Sequence, residues 1–444
     1  MPFLKHDRIT PAQVVILGFL FQILIGACLL SLPVATQSGE RVPFLDALFT
    51  ATSATCVTGL VIHDTALFWS PFGQGVIQVG GMGVVTMAVA IFMFSGRKIG
   101  LKQRWVMQES ISAPQVGGIV RMTGFILKTA FLIEAIGALL LALRFCPQFG
   151  LGKGIWYGIF HAVSAFCNAG FDLMGETGAF SSLTGYVGDP LVNLVICLLI
   201  VVGGLGFLTW HDVAAHGRHV SQYRLQSKLI LLTTLALLVG GFLFFRFYEF
   251  SRPQWAALTG GERGLAALFQ SVSPRTAGFN TVDLTQLSAC SQLMTILLML
   301  AGGSPGSTAG GFKTTTLAVL LLSVGAVIRR QGSARCFGRR LPDQVLRNAC
   351  AIFLLYLVLF LAGGMLICCM DEIPLMQALF EAASAIGTVG LSLGATAEAS
   401  EVSRLILIFL MYFGRVGGLT MIYAMAAGSN GASSQYPQEQ VTVG

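Results

Sequence analysis

Four short segments of this chain repeat one arrangement of phenylalanine, serine and glycine. In each, a serine follows the phenylalanine by four residues, and a glycine follows the serine by five or six. The phenylalanines are Phe49, Phe160, Phe269 and Phe380, spaced 111, 109 and 111 residues apart. Glycine permits the backbone angles that turn successive carbonyl oxygens to one side, and a ring of such oxygens can replace the water around a dehydrated cation. The repeat therefore predicts four walls of a single pore.

The residues that lead to each glycine are the candidate ligands of a cation. Thr388-Val389-Gly390 matches the opening of the potassium-channel filter sequence TVGYG, in which a second glycine follows. Because the four segments share only one glycine, we expect K⁺ selectivity looser than that of a tetrameric channel. Glycines also serve close helix packing in membranes, but four copies at near-constant spacing favour the pore. The candidate filter residues are Thr55, Cys56, Val57, Thr58, Gly59, Cys167, Asn168, Ala169, Gly170, Arg275, Thr276, Ala277, Gly278, Gly387, Thr388, Val389 and Gly390.

Arg275 is an unexpected residue beside a cation path. We expect its side chain to point away from the axis, toward a carboxylate behind the filter.

A glycine-rich run in the third repeat is the candidate gate. Glycine groups begin at Gly80, Gly203, Gly302 and Gly414, but only the third continues into a long run of small residues. Such a run cannot stay helical, so we expect it to break the second helix of repeat three, and of that repeat alone. In the fourth copy Arg415 replaces a glycine, and a charge at membrane depth is usually functional. The candidate gate residues are Gly302, Gly303, Ser304, Pro305, Gly306, Ser307, Thr308, Ala309, Gly310, Gly311, Lys313 and Arg415.

The composition indicates that these segments lie in a membrane protein. Of 444 residues, 55% are hydrophobic and only 11% are charged, with a mean hydropathy of +0.76, whereas about a quarter of a soluble protein is charged. Each repeat is predicted to contain a long helix, a short half-helix, a glycine turn and a second long helix. The fold class is therefore all-α, with eight membrane helices and four re-entrant pore helices around one central pore. The predicted repeats are residues 1–104, 105–222, 223–340 with an intramembrane loop at 302–313, and 341–444.

The distribution of charge predicts the orientation. Lysine and arginine concentrate in the linkers between repeats, while the loops on the other side are more acidic. Since basic loops stay inside, we expect both termini in the cytoplasm and the half-helices to enter from outside. The linkers are short, so a regulatory ligand would require another subunit.

Several motifs together resemble the superfamily of K⁺ transporters that includes the Trk, Ktr and HKT proteins. Ser304–Lys313 is similar to the intramembrane gating loop of that family, Thr276–Asn280 to its third filter segment, and Arg415 to its cavity arginine. The resemblance covers nearly the whole chain. It implies a K⁺-conducting subunit of a bacterial inner membrane, a homodimer with one pore per protomer and no nucleic-acid partner. It also implies a cytosolic KtrA-type RCK ring that carries ATP, ADP or NAD, with no cofactor in this chain other than the transported K⁺.

Two other classes of function would leave different patterns in the sequence. A cation transporter with alternating access, such as a Na⁺-coupled K⁺ symporter, would be expected to show inverted repeats and ionisable midplane residues. Here all four repeats share one orientation, and Glu134 is the main midplane carboxylate, with packing as its expected role. An enzyme would need a clustered nucleophile, acid–base pair or metal site, and the sequence contains no such pattern. The chain is therefore predicted not to be an enzyme.

Overall fold

The computed structural model describes residues 11–81 and 119–418 as a helical protein. Within these ranges the strands are limited to one small hairpin, β1 (Arg335–Cys336) and β2 (Arg339–Arg340), which pair antiparallel. The α-helices are α1 (Pro11–Leu30), α2 (Phe44–Thr55), α3 (Thr65–Phe68), α4 (Pro71–Gly81), α5 (Ile119–Phe149), α6 (Leu151–Phe166), α7 (Pro190–Gly204), α8 (Phe207–His216), α9 (Leu225–Phe244), α10 (Gly260–Val272), α11 (Ala289–Leu300), α12 (Thr314–Ile328), α13 (Asp343–Asp371), α14 (Leu375–Gly387), α15 (Ala395–Glu398) and α16 (Glu401–Val416).

These helices follow the order predicted for the repeats. Each repeat begins with a long outer helix, continues with a short pore helix and then an inner helix. The outer helices are α1, α5, α9 and α13, the pore helices α2, α6, α10 and α14, and the inner helices begin with α4, α7, α11 and α16. The pore helices have only 12, 16, 13 and 13 residues, fewer than the ~20 that cross a bilayer. The all-helical fold class is confirmed.

The outer helices are apolar on most sides, which suits helices surrounded by lipid. In the described residues, four helices are long and apolar enough to cross a membrane: Gln13–Leu30, Ile119–Phe149, Leu225–Glu249 and Asp343–Asp371. A fifth span is possible if α7 and α8 count as one. The predicted total of eight remains a prediction, because α4 and α16 end at the limits of the described ranges. The first boundary between repeats, 104/105, lies outside the described residues.

Polar caps fix where the inner and pore helices begin on one side of the molecule. Asp189 caps α7 ahead of Pro190, and Ser288 and Ser400 cap α11 and α16. Thr259 and Glu262 form a reciprocal capping box at the start of α10. Such caps satisfy backbone N–H groups that the first helical turn leaves unpaired.

The four repeats form a closed ring. The inner helix of each repeat packs against the pore helix of the next: α4 against α6, α7 against α10, and α11 against α14. The ring closes because α16, from repeat four, packs against α2 of repeat one. The pore helices are therefore surrounded by protein, as required of short segments at membrane depth.

Repeat two also breaks its second helix, contrary to the prediction that repeat three alone would do so. Helices α7 and α8 meet at an angle of 97°. The chain turns at Gly206, which has φ +87°, and Gly417 adopts φ +88° at the corresponding place in repeat four. The amide of Phe207 donates to the carbonyl of Gly306 in the third repeat, 2.8 Å away. The break is therefore stabilised by a contact between repeats, which the local sequence does not reveal.

Candidate functional site

Each glycine-ended segment contains two residues in the left-handed region, separated by one residue. The second is the shared glycine, with φ +88° at Gly59, +74° at Gly170, +82° at Gly278 and +96° at Gly390. The first, two positions earlier, is never glycine: Val57, Asn168, Thr276 and Thr388 have φ between +51° and +68°. Left-handed backbone is uncommon for residues other than glycine and often marks a functional site. All four segments thus share one unusual backbone course.

The four glycines meet in a ring. A methyl group added to Gly59 would lie 2.6 Å from the carbonyl oxygen of Ala169, and one on Gly170 would lie 2.9 Å from that of Ala277. In the same way Gly278 faces the carbonyl of Val389, 2.5 Å from such a methyl. Gly390 faces the carbonyl of Thr58 and closes the ring. A side chain at any of these positions would collide with the backbone of the next segment, so the packing itself requires glycine.

The serine of each segment ties its pore helix to the glycine turn. The carbonyls of Ser53, Ser164, Ser273 and Ser384 accept hydrogen bonds from the residue before each glycine, at 2.7–3.0 Å. The hydroxyls of Ser53 and Ser384 accept from the amides of Gly59 and Gly390, at 3.1 and 3.0 Å. The hydroxyls of Ser164 and Ser273 instead donate to the carbonyls of Phe171 and Phe279. The four repeated phenylalanines are fully buried behind these turns.

Several oxygens in the ring have no hydrogen-bond partner in the part of the chain that the structure describes. They are the hydroxyl oxygens of Thr58 and Thr388 and the amide oxygen of Asn168. Buried polar atoms are rarely left unpaired. The Asn168 amide nitrogen donates to the Thr276 hydroxyl at 3.3 Å, which links segments two and three.

Arg275 is buried, and its partner is not the predicted carboxylate. Among the described residues its Nη2 donates to the carbonyl of Gly302 at 3.4 Å, and its Nε has no partner. The cavity beside it is lined mainly by apolar residues and backbone, including Ile200, Leu238 and Gly303, with Thr234 as a further polar residue. One carbonyl of the broken inner helix, that of Gly302, therefore takes the place expected for a carboxylate.

The glycine-rich run forms an irregular loop, residues 301–313, between α11 and α12. Its backbone bonds to the inner helices of the neighbouring repeats. The amides of Ser304 and Thr308 donate to the carbonyls of Gly204 and Gly203, at 3.0 and 3.3 Å, and the amide of Gly311 donates to the carbonyl of Gly414 at 3.2 Å. The loop touches the filter as well, since a methyl on Gly310 would overlap the Thr388 side chain.

Two basic side chains hold the carbonyls of this loop. Arg415 donates to the carbonyl of Thr308, and its guanidinium lies 5.9 Å from the ring centre of Phe19. Lys313 donates to the carbonyls of Ala309 and Gly310, at 2.8 and 3.2 Å. The structure thus places Arg415 in contact with the run at 302–313, the two features that the sequence assigned to one gate.

Glu381, in the fourth pore helix, is a buried residue that the sequence analysis missed. Its carboxylate accepts from the Ser392 hydroxyl at 2.7 Å, the Leu393 amide at 2.9 Å and the Thr396 hydroxyl. These donors all lie just beyond Gly390, so Glu381 holds the chain that leaves the fourth segment. The sequence did contain a sign of its importance, since Glu381 is an ionisable residue within an otherwise apolar segment.

The fold and site together define a multi-pass helical membrane protein in which four short pore helices and their glycine turns meet in one ring. The comparisons with known proteins give its family. The TrkH family, described as "Cation transport protein", matches residues 13–436. The potassium/sodium uptake protein NtpJ of Enterococcus hirae is 39% identical over 449 residues, covering 99% of this chain and 98% of that protein. The Ktr system potassium uptake protein B of Bacillus subtilis is 39% identical over 446 residues, with the same coverage.

A solved structure agrees at the level of the fold. The potassium transporter TrkH from Vibrio parahaemolyticus superposes with a TM-score of 0.71 at 20% identity, over 94% of this chain and 85% of that one. The chain belongs to the TrkH family of cation transport proteins. This confirms the resemblance to the Trk, Ktr and HKT superfamily. Because the family consists of transport proteins, it also confirms that the chain is not an enzyme.

Proposed function

We propose that the chain conducts K⁺ through the ring formed by its four glycine-ended segments. The observation that carries the proposal is the closed ring itself, in which Gly59, Gly170, Gly278 and Gly390 each face a carbonyl of the next segment. Backbone carbonyls are the ligands that replace the hydration shell of K⁺. The buried oxygens of Thr58, Asn168 and Thr388, which have no partner among the described residues, belong to the same segments. The names of the relatives, both of which refer to potassium uptake, support the choice of ion.

The driving force needs no nucleotide hydrolysis in this chain. A membrane potential of about 100 mV provides about 2.3 kcal/mol per monovalent cation. At about 1.4 kcal/mol per tenfold change, this supports roughly a 40-fold inward accumulation. Conduction down the electrochemical gradient is therefore sufficient for uptake.

The loop at 302–313 and Arg415 are proposed as the gate. The loop lies against the fourth segment through Gly310 and is held by the inner helices of repeats two and four. The guanidinium of Arg415 adds a positive charge at the loop. Both features oppose the passage of a cation until the loop moves.

The control of the gate is assigned to a second, cytosolic subunit. The relative from Bacillus subtilis is named as protein B of a system, which supports a further component. By the family resemblance, that component is a nucleotide-binding RCK ring, and this chain forms a homodimer in the bacterial inner membrane with both termini in the cytoplasm.

The test is K⁺ and Na⁺ uptake by purified protein in liposomes with each of the four glycines changed in turn to serine. A serine must adopt positive φ and must displace a carbonyl of the next segment, so each variant should lose K⁺ affinity and K⁺/Na⁺ preference by about tenfold or more, equivalent to ~1.4 kcal/mol. Gly152→Ser is the matched control, since no atom lies within 4 Å of a methyl at that position.

The proposal fails if all four variants keep the K⁺ affinity and ion preference of the unmodified protein. Coupled uptake by alternating access predicts a different result, in which K⁺ flux requires Na⁺ and saturates at a low turnover.

A further inference from the structure

A buried carboxylate lies directly behind the second filter segment. Glu134 is in the middle of α5, and only 8% of the residue is exposed. Its Oε1 accepts a hydrogen bond from the thiol of Cys167, with the sulfur 3.7 Å away. Among the described residues no basic side chain forms an ion pair with Glu134. An ionisable group inside a membrane segment is costly and is usually retained for function.

A small cavity joins Glu134 to the candidate gate. Its volume is about 20 Å³, enough for one water molecule. Its polar lining comes from Glu134, Cys167 and Thr308, and its apolar lining includes Phe166 and Phe207. The carboxylate therefore faces a filter residue and a loop residue across one water-sized space.

Cys167 lies at the point where the filter and the loop are linked. The residue before it, Phe166, accepts a hydrogen bond from the Thr308 hydroxyl through its carbonyl, at 3.1 Å. The residue after it, Asn168, bonds to Thr276 of the third segment. Thr308 in turn accepts from Arg415. A displacement of Cys167 would thus alter both the ring of filter segments and the loop.

We infer that Glu134 is a positioning residue that fixes Cys167 and thereby couples the loop at 301–313 to the second filter segment. This inference rests on the proposed function and assigns Glu134 a role other than the packing expected from the sequence. Packing alone would be served by leucine or methionine at the same place. The contact with Cys167 requires a hydrogen-bond acceptor at position 134, because the thiol of Cys167 is the donor.

The test compares two substitutions of Glu134 in purified protein reconstituted into liposomes, with K⁺ and Na⁺ flux measured for equal amounts of monodisperse protein. Glu134→Gln keeps an acceptor oxygen and should retain K⁺/Na⁺ preference within about threefold. Glu134→Leu removes the acceptor and should lower that preference by about five- to tenfold, the upper part of the net range for a hydrogen bond. Thr123→Val is the control, because Thr123 is also buried on α5 but its hydroxyl bonds only within the helix, to the carbonyl of Ile119 at 2.8 Å.

A double-mutant cycle with Thr308→Val separates coupling from general damage. If Glu134 and Thr308 act through the same junction, the two losses will be markedly less than additive. Should Glu134→Leu fail to fold, Cys167→Ala repeats the test from the donor side, because it removes the thiol and should lose the preference as well.

The inference is overturned if Glu134→Leu or Cys167→Ala conducts with unchanged K⁺/Na⁺ preference, or if the cycle is additive. Failure of the proposed function looks different, since the unmodified protein would then show no K⁺ conductance or preference at all.

Discussion

The guanidinium of Arg415, in the last turn of α16, donates a hydrogen bond to the carbonyl of Thr308 in the loop of repeat three. This bond joins two repeats that are adjacent in the ring. It links the arginine of the fourth glycine group to the third glycine group, which forms a long loop. The carbonyl is thereby occupied by a fixed positive charge. In the proposed gate, Arg415 both holds the loop and repels a cation.

Replacing Arg415 by glutamine should raise the K⁺ flux of the protein alone. The substitution removes the charge and weakens the bond to Thr308, and a hydrogen bond to a charged group contributes about 1.5–3 kcal/mol. The expected increase is about tenfold or more, measured as ⁸⁶Rb⁺ or K⁺ uptake into liposomes. Arg144→Gln is the control, because Arg144 pairs with Asp189, 2.5 Å away, at the other end of the molecule. Equal fluxes in the two variants would remove Arg415 from the gate.

Deletion of residues 304–311 should also raise K⁺ flux, by about tenfold, which corresponds to ~1.4 kcal/mol of barrier. The deletion removes the backbone that contacts Thr388 and the carbonyls held by Lys313 and Arg415. Preserved K⁺/Na⁺ preference would distinguish an open gate from a damaged filter. A deletion variant with unchanged flux would contradict the assignment of the loop.

The sequence predicted the ring because its signal was repeated four times. Phe49 and its three counterparts are buried, and the glycines must be glycine because their neighbours leave no room. The positive φ of residues such as Val57 and Thr388 could not be predicted in this way. Their left-handed backbone is imposed by the packing of the four segments, since neither side chain favours positive φ.

The break between α7 and α8 in repeat two was not predicted because it also depends on packing between repeats. Gly203, Gly204 and Gly206 permit a break, but so do the glycines of every other repeat. The contact that selects the broken form is the bond from the Phe207 amide to the carbonyl of Gly306, 99 residues later in the chain. The partner of Arg275 could not be predicted either. It is a backbone carbonyl of the loop, and every residue type has a backbone carbonyl, so the sequence does not mark this one.

Substitution of Ser53 or Ser384 by alanine should weaken the filter. Each hydroxyl is the acceptor for the amide of its own filter glycine, Gly59 or Gly390, and a buried donor left unpaired costs about 1–3 kcal/mol. We expect lower K⁺/Na⁺ preference and less stabilisation of the purified protein by K⁺ in thermal unfolding. Ser31→Ala is the control, since the Ser31 hydroxyl bonds locally, to the carbonyl of Ala27 in the last turn of α1, at 2.8 Å. If the filter variants behave like Ser31→Ala, these serines do not support the filter.

Asp172, two residues beyond Gly170, should make stability depend on pH. Burial, with a smaller effect from Asp64, raises the pKa of Asp172 from its ordinary 3.8 to about 7, although the carboxylate accepts from the Met174 amide. The folded protein then binds a proton more tightly than the unfolded chain, so this group lowers the free energy of unfolding as pH rises from about 4 to about 7. Asp172→Asn should therefore be more stable than the unmodified protein at pH 8, and the difference should be much smaller at pH 4.5, as measured by thermal unfolding in detergent.

Asp283 provides the matched opposite case for this pH dependence. Burial would raise its pKa, but hydrogen bonds from Thr285 and Gln286 outweigh that effect and lower the pKa. The ionised form is favoured by folding, so Asp283 contributes to the free energy of unfolding above the ordinary pKa of 3.8, and this contribution is lost as pH falls. Asp283→Asn should accordingly be less stable than the unmodified protein at pH 7. If both aspartate variants shift stability in the same direction at pH 8, burial is not what sets the titration of Asp172.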